Sequence, residues 1–253
     1  MKKVNILFLC VFSSAFSFAQ IDLKKLKNKV QKDTSKSVLQ NVQSAISQDK
    51  GGKSLSGDEI ISGLKEALTK GAVNSTKILN LTDGYFGNAA VKILMPDEAK
   101  KVESTLRKMG MSSMVDKAIF SMNSAAEDAA GGVTDIFIAA IKKMTLNDGL
   151  AILKGGDFAA TEYLKKTTTE ELIKSMKPVI DASLSKVNAT TYWEKVFSSY
   201  NKLSPTKVNT DLSAYVTTRA LEGLFYTIGL EEQKIRKDPA ARTTDLLKKV
   251  FSK

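Results

Sequence analysis

Residues 211–230 read DLSAYVTTRALEGLFYTIGL. Leu212, Tyr215, Val216, Ala220, Leu224 and Ile228 recur every three or four positions, the spacing that gathers side chains on one face of an α-helix. A helix this long with one apolar face must bury that face against another element. What the rest of the chain offers as neighbours therefore decides the architecture.

Those neighbours read as further helices. Ser56-x-x-Glu59 is a capping box, followed by Ile60, Ile61, Leu64, Ala67, Leu68 and Ala72 at helical spacing. Val91 to Met95 is a short apolar run with an extended reading, because Pro96 disfavours helix at Met95. Asp97 to Met109 reads as helix that stops at Gly110, and an apolar stripe from Met111 to Ala126 forms the next. Gly131-Gly132 interrupts it before helix resumes over Val133 to Met144. Thr145-x-x-Asp148 opens another helix, which Gly155-Gly156 ends. Asp157 is the expected N-cap of the helix carrying Ala159, Ala160, Tyr163 and Leu164. Thr168-x-x-Glu171 is expected to open yet another, which Pro178 should kink or divide. Thr190 to Tyr200 reads as helix ended by Ser204-Pro205. Asp238-Pro239 introduces the last helix, with Leu246, Leu247, Val250 and Phe251. No strand pair and no repeat period is legible, so the expected fold is all-α: a multi-helix bundle of short and medium helices without substantial sheet.

The N-terminus reads differently. Met1-Lys2-Lys3, an apolar stretch from Ile6 to Phe18 and the small-x-small Ser17-Phe18-Ala19 together form a secretory signal over residues 1–19. The apolar run is shorter than the roughly 20 residues that cross a bilayer, and no later stretch reaches that length. Residues 20–54 form a basic polar leader, and from residue 20 to 56 eight lysines face three aspartates. Lys24, Lys25, Lys27, Lys29 and Lys32 surround Leu23, Leu26 and Val30 at helical spacing. They are candidates for an anionic membrane surface, against the plainer reading of a solvated leader. QDKGGKSLSG at 48–57 marks a hinge, and residues 55–253 read as one helical domain. The expected location is the periplasm, with secretion as the alternative.

Chemistry is limited by what is absent. The chain has no histidine, and its single cysteine, Cys10, lies within the signal. Imidazole and thiolate relays, thiol redox chemistry and the usual transition-metal ligands are thereby excluded from the mature chain. No cofactor and no metal site is expected, and the calcium-loop spacing is missing. Nucleic acid is not an expected partner of an exported chain with few aromatics and no recognisable binding motif.

Five strings resemble the bacterial domain-of-unknown-function family 4197: GLKEAL (Gly63–Leu68), NSAAEDAA (Asn123–Ala130), ILKGGDFAATEYL (Ile152–Leu164), YVTTRALEGLF (Tyr215–Phe225) and IRKDPAARTTDLLKKVF (Ile235–Phe251). The resemblance implies an exported bacterial setting and a mostly helical domain. It brings no reaction, substrate or catalytic residue with it.

Candidate sites come from the residues themselves. Asn123 and Glu127 lie one turn apart on an alanine-rich helix and are read as a buried polar cluster or as a salt-bridged face. Arginine is scarce, four against 34 lysines. Arg219, Arg236 and Arg242 are therefore candidates for forked contacts that lysine cannot reproduce: internal clamps, such as Glu232 with Arg236 and Asp238 with Arg242, or an anion site. Gly155-Gly156-Asp157 reads as a helix–helix turn more readily than as an anion cradle. Met109, Met111, Met114, Met122 and Met144 read as core or as an adaptable pocket. Tyr192, Trp193, Phe197 and Tyr200 form the one dense aromatic group. The functional expectation is a non-catalytic envelope protein that binds a partner protein or a small apolar or anionic ligand. A carboxylate hydrolase acting on an envelope or glycan substrate through Glu127, Glu162 and Glu66 is the enzymatic alternative, and peripheral membrane binding through the lysine leader is the third reading.

Overall fold

The computed structural model describes residues 56–203, 207–208 and 210–251. The expected signal, the lysine leader with Lys24, Lys25, Lys27, Lys29 and Lys32, and the Ser204-Pro205 break lie outside these residues. Among the described residues the regular elements are helical and no strand occurs. They are α1 (Gly57–Leu79), α2 (Lys100–Lys108), α3 (Ser112–Ala130), α4 (Thr134–Lys143), α5 (Leu146–Lys154), α6 (Ala159–Lys186), α7 (Ala189–Leu203), α8 (Leu212–Lys237) and α9 (Asp245–Val250), with single 3-10 turns at Asp97–Ala99 and Pro239–Ala241.

The local signals explain most of the boundaries. At α1 the Ser56 hydroxyl accepts from Glu59 N–H at 3.2 Å, and the Glu59 carboxylate accepts from Ser56 N–H at 2.8 Å. Thr145 and Asp148 repeat this exchange at the start of α5. Gly110 ends α2 with φ of 80°, a conformation that any side chain would strain, and Met111 N–H closes back on Leu106 C=O at 2.9 Å.

Two expectations fail within α6. Thr168-x-x-Glu171 opens no helix, because Thr168 lies inside a continuous one and its hydroxyl bonds the Leu164 carbonyl at 2.6 Å. Pro178 does not divide it either. The ring removes the N–H that would reach Lys174 C=O, but Pro178 and Lys174 both face solvent, where water can satisfy that carbonyl. The buried register passes through unbroken: Ala160, Leu164, Thr168, Leu172, Met176, Ile180 and Leu184, one residue in every four. The result is a helix of 28 residues beside an α8 of 26, longer than the short and medium helices expected.

The core forms around this pair. α6 packs on α8 and on α3, where Ala125, Ala126, Ala129 and Ala130 are buried and let the backbones approach closely. α1 covers the other side of α8 and carries α4 and α9. Leu172, Met176, Ile180 and Leu184 are fully enclosed, each side chain adding about 1.5–3 kcal/mol of apolar burial.

Pro178→Ala restores one N–H to a solvent-facing turn and removes the ring clash. We expect it to raise stability by about 1–3 kcal/mol in thermal unfolding followed by circular dichroism. A lower melting temperature would show that packing requires the proline geometry.

Candidate functional site

The polar pair on α3 serves the chain's own backbone. Residues 80–96 cross the bundle without forming a helix, and Val91, Ile93 and Met95 are buried while Leu94 is exposed, the alternation of an extended run. The Asn123 amide takes both backbone groups of Ile93, accepting from its N–H and donating to its C=O at 2.8 Å each. One turn on, Glu127 Oε1 accepts the N–H groups of Tyr85 and Phe86 at 3.0 Å each. Asn123 and Glu127 thus replace the partners that a neighbouring strand or helix would otherwise supply. The strap is fixed on its other side by the Tyr85 hydroxyl, which donates to Ala220 C=O at 2.8 Å. Gly223 makes room for it, since a Cβ there would stand 2.8 Å from the Tyr85 ring. Burial, reinforced by the Glu127 charge, pushes the Tyr85 phenol far above its ordinary range.

The arginines divide. Glu232 on α8 reaches the N-terminus of α6, where its carboxylate accepts from Ala160 N–H at 3.0 Å, and from Thr161 N–H and Thr161 Oγ1 at 2.8 Å each. Arg236 clamps the same carboxylate at 2.8 Å and donates to Ile152 C=O, at the end of α5, at 2.9 Å. The expected Glu232–Arg236 pair is therefore present and joins three helices. Asp157 does not cap α6, because Glu232 occupies the donors; Asp157 pairs with Lys237 at 2.5 Å instead. The expected Asp238–Arg242 pair is not formed. Asp238 accepts from Ala240 N–H, and Arg242, buried, donates to the carbonyls of Ile235 and Arg236 where α8 ends. Arg219 lies 17 residues before Arg236 on the same helix, roughly 25 Å away, and pairs with Glu222. Arg219, Arg236 and Arg242 therefore do not converge, and no anion site forms from them.

A surface feature with the dimensions of a binding site lies along α6 and α8. These helices run antiparallel: Glu232 meets the start of α6, and Lys177 meets Asp211, before α8, at 3.5 Å. Between them runs an open groove of about 540 Å³. Leu221 and Phe225 form its floor, and Phe158, Ile173, Tyr226 and Leu230 form its lips, each 40–48% exposed. Gly229 lets Phe158 lie over α8, as a Cβ there would stand 3.1 Å from the ring. Glu162, Lys165 and Glu222 supply the charge along the edges.

Of the three carboxylates considered for hydrolysis, Glu162 alone lines this groove. Glu127 is held under the strap and Glu66 lies half-buried on α1, so the three share no cleft. The methionines also separate: Met122 and Met144 are core, while Met109, Met111 and Met114 are exposed. Trp193, Phe197 and Tyr200 pack together, and Trp193 stacks on Tyr215, leaving Tyr192 outside. Among the described residues no three acidic or sulfur side chains gather as a metal site. None of them forms a helix long and apolar enough to cross a membrane. The groove was missed in the sequence. Its signal was a second apolar stripe on α8, with Leu221, Phe225, Tyr226 and Leu230 beside the inward-facing set.

A family model described as "Protein of unknown function (DUF4197)" matches residues 54–252. No curated protein and no solved structure matches the chain.

Glu127→Ala leaves the buried Tyr85 N–H and the partly buried Phe86 N–H without an acceptor and is expected to cost about 2–4 kcal/mol in denaturant unfolding, with Glu127→Gln costing less because one oxygen remains. Glu162→Gln, on the exposed lip, should stay within about 0.5 kcal/mol. The Tyr85 phenol is harder to ionise folded than unfolded, so its contribution is complete below about pH 10 and declines as pH rises beyond it. Absorbance at alkaline pH should show one tyrosine ionising together with unfolding; its ionisation in the still-folded protein would refute this.

Proposed function

The chain belongs to the DUF4197 family, and we propose that it is an exported envelope protein that works by binding, with the α6/α8 groove as its binding surface. The groove carries this reading. A volume of about 540 Å³ falls in the range of ligand sites, and its floor and lips are apolar. Phe158, Ile173, Tyr226 and Leu230 are exposed apolar side chains lining one groove, whereas scattered surface apolar residues would need no explanation. The occupant presents an apolar surface. The arginines do not supply an anion site, because Arg236 and Arg242 are committed to Glu232 and to backbone carbonyls. The signal-like N-terminus supports export, and the periplasm is the proposed compartment.

Nile red, a neutral dye that brightens in apolar surroundings, tests the surface. It should bind the purified protein saturably. Ile173→Glu with Tyr226→Glu should weaken binding at least tenfold while leaving the melting temperature nearly unchanged, because both side chains are largely outside the core. Equal binding by the double variant, or none by the parent protein, would overturn the reading.

A further inference from the structure

The groove is a trough, open along its length. On α6 it runs from Phe158 to Ile173, roughly 22 Å at about 1.5 Å per residue. That length matches about four turns of a helix laid along it.

Three hydroxyls that line it already donate within the chain. Thr161 Oγ1 bonds Glu232, Thr169 Oγ1 bonds Lys165 C=O at 2.6 Å, and Thr218 Oγ1 bonds Ala214 C=O at 2.9 Å. A ligand that needs hydroxyl donors along its body finds these three already committed. The charges stand only on the lips. Glu162 and Lys165, opposite in sign and three residues apart on α6, join no ion pair among the described residues; Glu222 on the facing lip is paired with Arg219.

Building on the groove reading, we infer that the occupant is an amphipathic α-helix of another protein, about four turns long. Its apolar seam, with side chains at i, i+3 or i+4, and i+7, fills the trough. Its polar back remains in water, as an open groove requires. A basic residue on its flank meets Glu162 and an acidic one meets Lys165, which fixes its direction along α6. A hydrocarbon chain fits the same trough, but its headgroup answers at most one of the two lip charges.

The test uses the full chain with Nile red in the groove and a set of synthetic 18-residue amphipathic peptides. Each has a Leu, Ile or Phe seam, with the flanking Lys and Glu in either order. At least one order should displace the dye. Glu162→Lys combined with Lys165→Glu should weaken that peptide about five- to tenfold, as expected of exposed ion pairs, and the charge-swapped peptide should recover the loss. Failure of every peptide to displace bound dye would overturn the inference, as would displacement by palmitate at lower concentrations than any peptide. Indifference of the double variant to charge order, or a dimer of the chain that dye binding dissociates, would also overturn it. If the dye itself does not bind, the groove reading fails first and takes this one with it.

Discussion

The Glu232 carboxylate, set against the first turn of α6, is the contact on which the rest of the arrangement depends. Four donors converge on it: two backbone N–H groups of α6, the Thr161 hydroxyl and the Arg236 guanidinium. Taking a carboxylate and a guanidinium out of water costs about as much as their attraction returns, so the cluster contributes geometry more than stability. It fixes how far α8 slides along α6, and Arg236 carries the same restraint to the end of α5 through Ile152. The groove is the outer seam of that helix pair.

The strap of residues 80–96 applies the same device against α3. Its turns close on their own carbonyls, but the groups they leave over, and those of the extended run that follows, have no ladder to join and would cost free energy if buried bare. Asn123 and Glu127 on α3 answer them one by one. In both places a side chain that resembles a candidate active-site group is a substitute for missing backbone partners.

The fold class was legible from local rules. Capping boxes at Ser56 and Thr145, the glycine stop at Gly110 and three-four periodicity act within a few residues, and the structure follows them. Thr168 and Pro178 misled because their consequences depend on exposure, which periodicity around α6 does not reveal at one position. Asp157 misled because a distant carboxylate, 75 positions along the chain at Glu232, took the donors first. The pairing of Glu232 with Arg236 was readable since it spans one helical turn. The groove was not, because an exposed apolar stripe and a buried one look alike until the neighbours are known.

The spacing of buried residues along α6 has a consequence for how the molecule is held together. An α-helix turns about 100° per residue, so a contact line repeating every fourth residue advances about 40° at each step. From Ala160 to Leu184 that line travels roughly two-thirds of the way around the cylinder. No single neighbour can follow it, and α8, α3, α7, α4 and α5 each cover a portion. α6 is thus wound by its neighbours like a mast by its stays, and none of them can be peeled away without uncovering part of one continuous spiral.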